Sequence, residues 1–68
     1  MMNNTYLTGE QVIDVIKDLA KSQGQYSRLY NNILTIQENE PEEFEQLKKG
    51  FEELKLKDPV DVIMFFEA

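Results

Sequence analysis

Residues 8–37, TGEQVIDVIKDLAKSQGQYSRLYNNILTIQ, decide how this chain folds. Thr8-Gly9-Glu10-Gln11 has the pattern of a capping box. In it the threonine hydroxyl accepts from the backbone N–H three residues on, and the glutamine side chain reaches back. Behind it Val12, Ile16, Leu19, Gln23, Tyr26, Tyr30 and Ile33 follow one another at spacings of four and three. That periodicity is one helical stripe, widened on its flanks by Ile13, Ala20, Leu29 and Ile36. Gly24 interrupts it at a cost of about 1 kcal/mol relative to alanine, and Ser22-Gln23-Gly24-Gln25 could form a second capping box. The stripe nevertheless keeps its phase across the glycine, where a turn would usually shift it. The expectation is a single helix over 9–37, bent at Gly24.

Outward from that stretch, Gln37-Glu38-Asn39-Glu40 is a break, and Pro41 suits the first turn of a second helix, where its missing N–H costs nothing. Glu42, Glu43 and Glu45 favour that helix's positive end. Phe44, Leu47, Phe51 and Leu54 repeat at helical spacing, and Glu45 can pair with Lys49 one turn on. Gly50 weakens the middle of this helix, which is expected over 41–55. Asp58-Pro59 starts a third, with Asp58 as N-cap and Pro59 at the first position. This last helix, 59–67, is short and almost wholly apolar; its Val, Ile and Phe content makes a strand over 60–66 the competing possibility. The predicted fold is all-α, a small antiparallel bundle of three helices, forming one domain over 1–68 with a flexible N-terminus at 1–7.

Sixty-eight residues with neither cysteine nor histidine exclude disulfides, thiolate zinc sites and nearly all histidine chemistry. A core this small supplies only about 3–5 kcal/mol, which leaves self-association as the remaining support. Neither a secretory leader nor an apolar run of membrane-spanning length is present. The expectation is a cytoplasmic protein without membrane contact, metal or cofactor.

Charge is uneven. Residues 1–36 balance Glu10, Asp14 and Asp18 against Lys17, Lys21 and Arg28, so the net −6 resides entirely in 37–68. That acidity argues against nonspecific nucleic-acid binding, which needs clustered Lys and Arg. Acidic surfaces more commonly serve solubility.

With no histidine base, cysteine nucleophile, phosphate loop or calcium loop, no catalytic residue can be named and the chain is not expected to be an enzyme. A protein-interaction or regulatory module is the first expectation. Residues 12–33 allow a different one, a sequence-specific DNA-binding helix–turn–helix. In it Ala20 and Gly24 would supply the small residue and the turn glycine, and Gln25, Ser27, Arg28, Asn31 and Asn32 would reach base edges. Against this, Gln23 and Gln25 stand where the motif buries apolar side chains, and the in-phase stripe predicts no sharp turn. A third reading takes Glu38, Glu40, Glu42, Glu43 and Glu45 as a nucleic-acid mimic directed at a basic groove on a host protein. Acids around a helix start more often complement the dipole.

The strings Lys21-Ser22-Gln23-Gly24, followed by Tyr26-Ser27-Arg28-Leu29, and Lys57-Asp58-Pro59-Val60-Asp61, leading to an apolar, Glu-containing end, resemble small acidic proteins of Gram-positive phages and mobile elements. That group has no established activity. The resemblance therefore implies a context, in which interaction or regulation outweighs metabolism, and no mechanism.

In the last helix successive residues turn by about 100°. Val62, Ile63 and Phe66 therefore gather on one side, with Val60 extending the arc, and should pack on the other helices. Met64 and Phe65 point the other way, on either side of Asp61. Asp61, Met64 and Phe65 are the candidate partner interface, for a homodimer or for a foreign protein.

Overall fold

The computed structural model describes residues 5–67. They form four helices: α1 (Gly9–Ala20), α2 (Gly24–Asn39), α3 (Pro41–Glu53) and α4 (Pro59–Glu67). The all-α class is as expected; the helix count is not. The predicted helix over 9–37 is two helices. Its C-terminal part also runs on to Asn39, past the predicted end at 37. The strand alternative over 60–66 does not occur, because those residues lie within α4.

The break falls at Lys21-Ser22-Gln23. Gln23 is extended (φ −133°, ψ 121°), and its N–H donates to the Leu19 carbonyl at 2.9 Å. The second capping box does not form, since the Ser22 hydroxyl turns back to donate to Leu19. Burial explains why the helix ends here. A continuous helix over 9–37 would run about 44 Å, beyond the 40 Å longest dimension of the molecule, and much of its stripe would lack a neighbour. Folding at residue 21 lays the two halves on each other, so that Val12 and Ile16 of α1 and Tyr26 and Ile33 of α2 are all buried. Phase is preserved because each half carries its own core-facing stripe.

The other boundaries follow local chemistry. Thr8 and Gln11 exchange both bonds of the capping box, at 2.9 and 3.1 Å. Glu40 ends α2 and begins α3; its non-helical backbone (φ −140°, ψ 73°) avoids the α region that a following proline disfavours. Asp58 caps α4 by accepting from the Asp61 N–H at 3.0 Å, and the Asp61 carboxylate accepts in turn from the Lys57 N–H at 3.0 Å. The predicted 41–55 helix stops at Glu53. Leu54 is its cap, and Lys55 takes a left-handed conformation (φ 55°), a position usually filled by glycine. Glu45 pairs with Lys48, at 3.0 Å, where Lys49 was expected.

Packing centres on α1, which touches each of the other three helices. Val12, Ile16, Ile33, Phe51, Leu56 and Val62 form the core. α1 crosses α3 at Gly9. A Cβ built there would stand 2.6 Å from the Lys48 Cα and 2.7 Å from its carbonyl carbon, so only glycine permits this approach. Beside the crossing, the Leu7 N–H donates to the Leu56 carbonyl at 2.6 Å, and Leu7 packs on the core. Of the N-terminal stretch expected to be flexible, residues 1–4 lie outside the described residues.

Two substitution pairs test this packing. Gly9→Ala should destabilise the fold by about 1–3 kcal/mol through overpacking. Gly50→Ala, whose new methyl meets nothing within 4 Å, should stabilise it by about 0.5–1 kcal/mol. Equal denaturant midpoints for the two variants would contradict the α1–α3 crossing. Asp58→Ala should cost about 0.5–2 kcal/mol through loss of the cap, whereas Lys55→Gly should gain about 0.5–1 kcal/mol by relieving the left-handed residue. Chemical denaturation of both variants measures the two signs directly.

Candidate functional site

The last helix presents two faces. Val62 is fully buried against α1, and Ile63 and Phe66 are half-buried. Phe66 is the long-reaching residue. Its ring meets Tyr26 of α2 edge-on at 6.3 Å and Phe51 of α3 at 6.2 Å. On the outer face Met64 is 64% and Phe65 48% exposed. Val60, which the angular argument placed beside the buried residues, is 60% exposed, because α1 is the one helix whose backbone lies close to α4 and it covers a narrower arc than the argument assumed. Asp61 is half-buried, and its carboxylate is engaged in closing the helix start.

Phe65 also borders an apolar groove that the sequence did not reveal. Ile36 of α2, Leu47, Gly50 and Phe51 of α3 with its cap Leu54, and Phe65 of α4 line it, with Glu43 and Gln46 as its polar members. Leu47, Gly50 and Leu54 follow the spacing of one helix face. Gly50 leaves that face open, having no side chain and no neighbour within 4 Å of where a Cβ would stand. Spacing alone could mark this row as apolar; that part of it stays uncovered depends on where α2 and α4 end.

The DNA-reading candidates lie on α2. Gln25, Arg28, Asn31 and Asn32 are exposed and Ser27 is half-buried. At 100° per residue they occupy less than half of the helix circumference. The turn that the motif requires is present at residues 21–23. Basic support is thin: Arg28 is the one cation in α2, and Lys21 faces Asp18 at 3.7 Å. The glutamates of the third reading, at 38, 40, 42, 43 and 45, are all exposed around the α2–α3 junction.

A larger cleft, of about 790 Å³, opens between α1, α2 and α3. Several of its polar groups are already committed: Thr8 and Gln11 bond each other, and Glu45 pairs with Lys48. Among the described residues no group of three or more His, Cys, Asp or Glu side chains is placed to hold a metal ion. None of the helices is long and apolar enough to cross a membrane.

Tyr26 joins the far end of α4 to α2. Its side chain is 2% exposed, and its hydroxyl donates to the Glu67 carboxylate at 2.9 Å. Burial, and then the hydrogen bond and the negative charge of Glu67, push the phenol above its ordinary value of 10.0. Stabilisation from a raised pKa is complete below the unfolded value and is lost as pH rises through the folded one. Unfolding free energy should therefore fall above about pH 10, and Tyr26→Phe should remove that part of the decline. At neutral pH the variant should cost about 1 kcal/mol. Denaturation of both proteins across the alkaline range checks the sign.

No protein-family model, curated protein or solved structure matches this chain.

Proposed function

We propose that this chain is a non-enzymatic protein-interaction module of regulatory character, acting in the cytoplasm and encoded by a phage or mobile element. It engages its partner through the outer face of α4 and the groove beside it. One observation carries the reading: Leu54, Val60, Met64 and Phe65 are the large apolar side chains left exposed among the described residues. Three of them lie on the nine-residue α4, and Leu54 and Phe65 border the same groove. Single exposed apolar side chains are ordinary, but an apolar face joined to a groove marks a docking surface. Burying one Phe or Met side chain is worth about 1.5–3 kcal/mol, large beside the few kcal/mol of a core this size. A second copy of the chain could cover the same face.

The test is site-specific photocrosslinking in the native cells, with the reactive group at position 65 and, as control, at position 17 on α1. Adducts specific to position 65 that disappear in Met64→Glu support the reading. Identical adducts from both positions, or none, contradict it.

A second reading, sequence-specific DNA binding through α1 and α2, is favoured by the turn at residues 21–23 and by the exposed side chains of Gln25, Arg28, Asn31 and Asn32. It predicts that some duplex in a genomic-fragment selection is retained at low salt. Its affinity should fall steeply with salt and drop in Arg28→Ala. A selection that retains no fragment retires it.

A further inference from the structure

Building on the reading of the chain as an interaction module, we infer that the groove between α2, α3 and α4 receives a basic amphipathic helix from a different protein. The floor of the groove comes first. Gly50 sits inside α3, where glycine costs helix stability, and nothing in the described chain packs on it. Leu47 and Leu54 flank it at one-turn spacings, and Ile36 and Phe65 form the opposing walls. The result is an apolar trough in which the missing side chain of Gly50 leaves room for one from outside. Helix-in-groove docking fills such a trough with apolar anchors spaced i, i+3, i+4 and i+7.

Charge then selects the partner. Among the residues lining the groove there is no lysine or arginine; Glu43 stands in its wall and also lines the adjoining hollow of Asn39, Glu40, Pro41 and Glu42. α2, which contributes Ile36, and α4, which contributes Phe65, have no basic residue in their last turns. Neither helix therefore supplies a cation of its own at that end. The lysines of α3 lie elsewhere: Lys48 and Lys49 line the opposite cleft with Thr8, Glu10 and Glu52. Electrostatic complementarity thus calls for cations flanking the apolar anchors of the incoming helix. A second copy does not meet that requirement. It carries the same net −6 and would bring Glu43 and the neighbouring Glu40 and Glu42 against their like, a like-charge juxtaposition that costs affinity. The same sign argument excludes nucleic acid from this groove.

The probe is a displayed library of helical peptides of about 16 residues, roughly 24 Å long. One face is varied among Leu, Ile, Phe and Met, and the flanks among Lys, Arg, Gln and Glu. Selection uses the full chain. Wild type should enrich peptides with Lys and Arg flanks, whose affinity falls with added salt. Binding should drop at least roughly tenfold in Gly50→Gln and in Phe65→Glu. Because Gln is the better helix former and position 50 is open, Gly50→Gln should keep a denaturation midpoint at or above that of wild type, which separates a blocked groove from a broken fold. Enrichment of acidic or neutral flanks, or equal binding to Gly50→Gln, overturns the inference. If no peptide is enriched and wild type sediments as a dimer that Gly50→Gln dissociates, the occupant is a second copy; the interaction reading then stands and this inference falls. No enrichment together with a monomer overturns both.

Discussion

Where α1 crosses α3, the two backbones meet at Gly9 and Lys48 without an intervening side chain. The rest of the fold depends on that approach. Val12 and Ile16 follow one and two turns along α1 and are completely buried, which requires α2, α3 and α4 all to lie against this one helix. Small domains bury a limited fraction of their surface, and here a single twelve-residue helix serves as the shared wall for the others. Interiors pack at near-crystalline density, so an added methyl at the crossing would displace α3 from α1 and open the core behind it.

Features written in short-range chemistry were legible in the sequence. The Thr8–Gln11 box, Pro41 at the head of α3 and Asp58-Pro59 at the head of α4 need only neighbours within four residues, and each forms as read. The turn at 21–23 was not legible, because two helices packed face to face carry the same alternation as one long helix. Gly9 was hidden inside its own capping box; its reason for being glycine is Lys48, far along the chain. Lys55 was missed because the sequence has no glycine at the end of α3. At the candidate site, angular arithmetic separated Met64 and Phe65 from Val62. Ile36, Leu47 and Leu54 join Phe65 only once the helices are placed, and Val60 was misassigned because the arithmetic does not show how narrow an arc of α4 is covered.

The acidic and apolar features of the second half belong together. Five exposed glutamates surround the α2–α3 junction, and the groove begins at one of them, Glu43. Under the proposed reading, such charge opposes association of the uncovered apolar face with copies of the chain. It also biases the face toward partners of opposite sign. On that reading the acidity that serves solubility has a second use next to the groove, and the two uses do not compete.

The Phe66 ring has a consequence for how the molecule comes apart. α4 lies against α1, but its reach to α2 and α3 runs through that ring and through the Tyr26–Glu67 bond. Few contacts secure it, and regions secured in this way open independently of the whole. Amide hydrogen exchange should accordingly be graded, with the α4 amides losing protection at a lower free energy than those around Val12 and Ile16. Each such opening would strip Phe66 from Tyr26 and Phe51 and briefly present three aromatic rings to solvent, so the least protected helix is also the gate to the most aromatic part of the interior.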